Sequence, residues 1–188
     1  MDEIVKQGMA KWPNVPAVYG WLSLDRRGNW LIKGERIANP IVADFIGRNY
    51  EHDDKGRWFF QNGPQRVYVN LEATPYIARS DPQHGFVLQT GAPLEQIEQV
   101  YWCDDGMLIL RHGDIVAQVD DRDLSQVLDA LHVDGQVASN DDLLDWLELH
   151  QGSLTLLHAG KHIAVQPLRY DAVPQTFDFQ PVPQADQD

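Results

Sequence analysis

Short apolar runs, punctuated by glycine, proline and asparagine, recur along the whole chain. Alternation of apolar and polar residues marks a half-buried strand, and apolar residues three or four apart mark a helix face. Val18–Leu24 and Trp30–Lys33 predict two strands joined by the glycine-containing turn Asp25-Arg26-Arg27-Gly28-Asn29. Asn39 followed by Pro40 is an N-cap with proline at the first helical position, so a short helix begins there, with Ile41, Phe45 and Ile46 on one face. A second hairpin sets Arg57-Trp58-Phe59-Phe60-Gln61 against Arg66–Leu71. Its turn contains Asn62-Gly63, and Pro64 argues for a loop longer than two residues. Tyr76–Ala78 and Phe86–Leu88 are two further strands.

Thr90-Gly91-Ala92-Pro93 is the expected boundary between subdomains 1–90 and 91–170. In the second, residues 96–102 and 107–111 predict a hairpin, and residues 115–119 a strand. Helices are predicted over 121–131 and 140–149, the latter capped by Asn140, and a last hairpin turns at Ala159-Gly160-Lys161. Residues 2–11 predict a short N-terminal helix. Residues 171–188 are rich in Pro, Gln and Asp, and form a tail either docked through Phe177 and Phe179 or left as a mobile terminus. The fold class is α+β, with two small subdomains of short hairpins and a few helices.

One pattern recurs. Gly34-Glu35-Arg36-Ile37-Ala38, Gly113-Asp114-Ile115-Val116-Ala117 and Gly160-Lys161-His162-Ile163-Ala164 share Gly-x-x-Ile/Val-Ala. It reads as a repeated β-turn-β unit in which glycine permits a positive φ.

Composition narrows the function classes. The 188 residues carry 15 basic and 28 acidic side chains, a net charge of -13. Nucleic acid and anionic membranes require a basic stripe, and none exists, so neither is an expected partner. The single Cys103 excludes an internal disulfide. The N-terminus lacks the apolar run of a signal peptide, and the expected location is cytoplasmic.

Catalytic signatures are missing: glycines occur singly at turns, with no nucleophile elbow, phosphate loop or dinucleotide fingerprint. His158 and His162 flank a turn, but no further Cys or His completes a metal set, and Asp120-Asp121-Arg122-Asp123 lacks the glycine and glutamate of a calcium loop. No metal or cofactor is expected. Cys103 beside Asp104 and Asp105 is a poor nucleophile, since acidic neighbours raise a thiol pKa.

The run Asp25-x-x-Gly28-x-Trp30, Gly34-x-x-Ile37, Gly56-x-Trp58-Phe59 and Val69-x-Leu71-Glu72-Ala73-Thr74-Pro75-Tyr76-Ile77 resembles a proteobacterial family of unknown function, DUF1285, or a sister family. The resemblance covers about residues 12–90 well and the rest loosely. It implies a two-part α+β fold with repeated motifs, no established activity, and a role in ligand sensing or signalling. The family's glutamate in the second hairpin turn is replaced here by Gly63-Pro64-Gln65, and its aspartate by Ala73, whereas Glu72 is retained.

The candidate ligand-binding residues are Glu72, Tyr76, Arg66, Arg79 and Trp30. The leading expectation is a non-enzymatic module that binds a small molecule or a protein partner. The alternatives are a hydrolase using Glu72 with a second carboxylate, and a structural interaction protein whose tail pairs with a neighbour, for instance in a homodimer.

Overall fold

The computed structural model describes residues 1–186. Two compact units emerge. The first comprises residues 1–75, 89–91 and the C-terminal segment from Pro174; the second comprises residues 76–88 and 92–173.

The first unit opens with α1 (Glu3–Lys11), then β1 (Val18–Leu24), β2 (Trp30–Ile32) and β3 (Glu35–Arg36). It continues through α2 (Pro40–Arg48), β4 (Tyr50–His52), β5 (Trp58–Asn62) and β6 (Gln65–Leu71). Its six strands form one sheet in the order β3-β2-β1-β6-β5-β4. The β1–β6 pair is parallel and the other pairs are antiparallel. Asn39 caps α2 as predicted, its side-chain oxygen accepting from the Ile41 N–H at 2.9 Å. Ile46 is buried and Phe45 meets Phe60 edge to face, whereas Ile41 is 75% exposed.

Aromatic side chains fill this core. Trp30 stands edge-on to Tyr50 with centroids 5.0 Å apart, and Tyr50 packs on Trp58 at 4.9 Å. Such contacts add about 0.5–1.5 kcal/mol each beyond area burial.

The second unit begins with β7 (Tyr76–Asp81), β8 (Gly85–Leu88), β9 (Gln99–Cys103), β10 (Leu108–His112) and β11 (Ile115–Val119). Next come α3 (Leu124–Leu128), β12 (Leu131–Val133), β13 (Gln136–Val137), α4 (Asn140–Leu149), β14 (Leu154–His158) and β15 (Lys161–Leu168). A last short turn, α5 (Val173–Thr176), leads into the tail. The nine strands run β13-β12-β14-β15-β9-β10-β11-β7-β8, with β7–β11 and β9–β15 parallel. Leu108, Leu110, Ala117, Val119, Trp102 and Trp146 lie in its core.

Three local expectations change. The helix expected over 121–131 is a 3₁₀ turn (Asp121–Asp123) followed by the five-residue α3, and Leu131 instead begins β12. Aspartate side chains compete there for backbone groups: Asp120 accepts from the Arg122 N–H at 3.0 Å, and Asp123 from the Ser80 N–H at 2.9 Å. The cap of α4 is Ser139, one residue earlier than Asn140, in a reciprocal capping box with Asp142. The β5–β6 loop has only two residues, Gly63 and Pro64, because Asn62 pairs with Gln65. Gly63 at φ +55 supplies the first position of a turn that accepts proline at the second.

The repeated glycines head β3, β11 and β15. Two of the three sit in tight turns with both central residues at positive φ: Lys33 and Gly34 (+52 and +83), and Ala159 and Gly160 (+48 and +75). Asp134 and Gly135 (+49 and +82) form a third such turn, which the Gly-x-x-Ile/Val-Ala pattern does not include.

Candidate functional site

A groove of about 450 Å³ opens on the first unit. Its walls are Val18, Trp21, Leu22, Ile32, Phe60 and Val67, with Asn62 and Gln65 as the polar groups. The groove owes its shape to an irregularity in β1. Val18 pairs with Val67 and Leu22 with Val69, so β1 spends four residues where β6 spends two. The surplus falls on Tyr19, Gly20 and Trp21, and Gly20 at φ +72 makes the bend. Tyr19 lies flat on Tyr68, centroids 4.5 Å apart. Trp21 is left 51% exposed beside Ile32, itself 46% exposed.

Lys33 completes the arrangement. Its N–H donates to the Trp21 carbonyl at 2.8 Å, and its ammonium lies 4.0 Å from the Trp21 ring centroid. A left-handed backbone costs a non-glycine residue about 1–2 kcal/mol. The turn and the hydrogen bond to Trp21 hold Lys33 there.

A second polar assembly lies in the loop after β4. The Asp53 carboxylate, only 7% exposed, accepts from Arg57 Nε at 2.8 Å, from the Tyr68 hydroxyl at 3.0 Å, and from the N–H groups of Lys55 and Arg57 at 3.0 Å each. Burial acts to raise its pKa, but these donors outweigh it and hold Asp53 below the usual carboxylate range. Burial and the neighbouring Asp53 push Tyr68 up to about 12.

Arg57 also donates to the Gln184 carbonyl and the Asp186 carboxylate, both at 3.1 Å, which ties the C-terminal segment down. The segment is further fixed by Gln180 N–H to Gly56 O at 2.9 Å, by Leu71 N–H to Pro181 O at 2.8 Å, and by buried Phe179. The tail is therefore docked on the first unit, through Phe179.

The predicted site residues are spread over both units. Trp30 is buried against Tyr50, and its indole N–H has no hydrogen-bond partner among the described residues. Arg66 is exposed on β6, with its guanidinium 4.5 Å from the Phe59 ring centroid. Glu72 is exposed just after β6; its N–H donates to Leu24 O. These three belong to the first unit. Tyr76 and Arg79 belong to the second, where Tyr76 opposes Ala117 and packs on the core. Arg79 forms ion pairs with Asp120 at 3.7 Å and Asp123 at 3.3 Å. None of the five lines the groove.

A smaller hollow of about 280 Å³ in the second unit is lined by Trp102, Asp104, Leu147, His150, Pro167, Leu168 and Arg169. Its charged groups are engaged locally: Asp104 accepts from the Tyr170 N–H at 2.8 Å, and Arg169 is paired with Asp171. His158 and His162 serve different neighbours, His158 near the Glu95 carbonyl at 3.2 Å and His162 near the Thr155 hydroxyl at 3.0 Å. Among the described residues no group of three or more His, Cys, Asp or Glu is placed to hold a metal ion. Cys103 is buried, and burial together with Asp105 and Asp104 pushes its thiol up to about 12. Among the described residues no helix is long and apolar enough to cross a membrane.

Residues 1–184 match the DUF2944 family, described as a protein of unknown function (DUF2946), and the chain belongs to that family. No curated protein matches it. It is similar to the crystal structure of a DUF1285 family protein from Silicibacter pomeroyi DSS-3, at 13% sequence identity and a TM-score of 0.52, covering 81% of this chain and 84% of that chain. At that identity the likeness is one of fold. The resemblance carried by the segments from Asp25 to Ile77 is thus to a family of the same fold.

Proposed function

We propose that this member of the DUF2944 family is a binding module that holds a small, largely apolar molecule in the groove of its first unit. The observation that supports the reading is the β1 bulge. A strand that bends at Gly20 to leave a tryptophan half exposed against Ile32 gives up burial that a regular strand would keep. Fully burying a large apolar side chain is worth about 1.5–3 kcal/mol. A groove of about 450 Å³ with mostly apolar walls and two amides has the size and lining of small-molecule sites.

The hydrolase alternative finds less support. The groove lining contains no Asp, Glu or His to act as acid or base. A signalling role would follow if a partner read the occupied state.

The test is binding of an apolar fluorescent probe, a naphthalene sulfonate, to the whole chain, compared with Trp21→Ala. Saturable binding that weakens at least fivefold in the variant, with an unchanged melting temperature, is expected. Equal binding by the two proteins would remove the groove from consideration.

A further inference from the structure

We propose that the ligand of this groove is an amphiphilic organic anion, with its apolar body along the groove wall and its carboxylate or sulfonate on the Lys33 ammonium. The inference rests on the groove being a binding site and goes further by naming the class of molecule.

Three observations carry it. First, Lys33 forms no ion pair among the described residues, in a chain with 28 acidic side chains against 15 basic ones. Arg57 is paired with Asp53 and Asp186, Lys55 with Asp186 and Arg48 with Asp2. Lys11, Arg36 and Arg66 share the lack of an ion pair among the described residues, but Lys33 is the one of these that stands on a groove-lining ring. Second, the ammonium is positioned. It rests 4.0 Å from the Trp21 ring centroid, on a residue whose backbone is fixed at φ +52 and hydrogen-bonded to Trp21. A lysine held in this way loses less conformational entropy on meeting an anion than one free to rotate. Third, no acidic residue lines the groove, so an anionic head meets no like charge on its walls. Asn62 and Gln65 are neutral; the Gln65 amide already donates one N–H to the Pro16 carbonyl at 3.1 Å, which leaves its second N–H and the Asn62 amide for an oxygen-rich group.

The net charge of -13 draws cations to the molecule as a whole. An amphiphilic cation is therefore the competing ligand, and the local arrangement argues against it: its ammonium would find no carboxylate in the groove lining and would face that of Lys33 beside Trp21.

The full chain is titrated with a naphthalene sulfonate dye, which is then displaced by decanoate, decanol and decylamine, the two ionic amphiphiles below their micellar concentrations and decanol below its solubility limit. Decanoate is expected to displace the dye at about tenfold lower concentration than decanol, the effect of one charge-assisted hydrogen bond, with decylamine weakest. In Lys33→Asn the preference for decanoate should vanish while decanol is unchanged. Asparagine keeps the turn, because it tolerates the left-handed backbone and pairs well with Gly34. Decanol or decylamine competing as well as decanoate, or a preference for decanoate that survives in Lys33→Asn, overturns the anion inference and leaves the groove reading standing. If neither dye nor competitor binds, or Trp21→Ala binds them equally, both readings fail.

Discussion

Gly56 is the residue on which the docked C-terminal segment depends most directly. Its φ is +70, and a Cβ placed on it would lie 2.2 Å from the Asp178 carbonyl oxygen and 3.1 Å from Phe179 Cα. Ordinary contact begins near 3.4 Å, so in Gly56→Ala the segment must retreat by about 1 Å or more. The obstacle is backbone, and no rotamer change relieves it. A retreat of that size breaks the bond from Gln180 N–H to Gly56 O, now 2.9 Å, and strains that from Leu71 N–H to Pro181 O, now 2.8 Å. Each is worth about 1 kcal/mol. Unseating Phe179 adds about 2–3 kcal/mol. The left-handed backbone adds about 1–2 kcal/mol for alanine. The variant should therefore lose about 5–7 kcal/mol if the segment detaches, read as a fall in the urea midpoint. Chymotrypsin should also cut at Phe177 or Phe179 under conditions that spare the parent. Gly34→Ala is the control: its φ is +83 with open space around the position, so only the backbone cost of about 1–2 kcal/mol applies. Equal urea midpoints for the two variants, with Phe179 still protected in Gly56→Ala, would refute the close-approach argument.

Further consequences follow from the buried charges and the thiol. Arg57→Ala leaves the Asp53 carboxylate enclosed without its cation and should cost about 3–5 kcal/mol by chemical denaturation, with Arg57→Lys recovering part of the loss. Acid should destabilise the fold through Asp53 and Asp120, whose native pKa values lie below those of the unfolded chain. Burial opposes the shift of Asp120, but Arg122 holds that carboxyl at about 2. The stabilisation is complete above the unfolded carboxyl value of about 4 and declines as pH falls through the native value. Urea midpoints should accordingly drop between about pH 4 and pH 2 and stay flat from pH 5 to 7 as far as these two groups are concerned. Cys103 should resist a maleimide at pH 8 in the native protein and react fully in denaturant; rapid native labelling would contradict its burial.

Local chemistry made much of the fold legible. The Asn39-Pro40 pair announced α2, and single glycines announced the turns at Gly28, Gly34 and Gly160, because each signal acts within a few residues. The parallel pairs are of another kind. Tyr76 opposes Ala117, and Val165 opposes Val100, across long stretches of chain, and no periodicity in either partner encodes the choice. The α3 region misled for a different reason. Leu124, Val127, Leu128 and Leu131 have helical spacing, yet Leu131 is needed opposite Leu156, where it is fully buried. Tertiary pairing prevailed over local preference.

The groove was hidden by a similar ambiguity. Val18 to Leu24 reads as one continuous strand, in which Trp21 is as good a core residue as Trp30. The available clue was Gly20: a glycine inside an aromatic strand marks a bulge, and the residues within a bulge leave the regular pairing and need not point into the core. Lys33 was equally discreet, since a lysine before a turn glycine is ordinary until its partner across the hairpin is known. With Leu22 opposite Ile32, the Lys33 N–H reaches Trp21 O, and the turn carries the ammonium back over the bulged indole. The surplus residues in β1 thus do two things at once. They expose an aromatic wall, and they bring it under a cation that no carboxylate in the described chain neutralises.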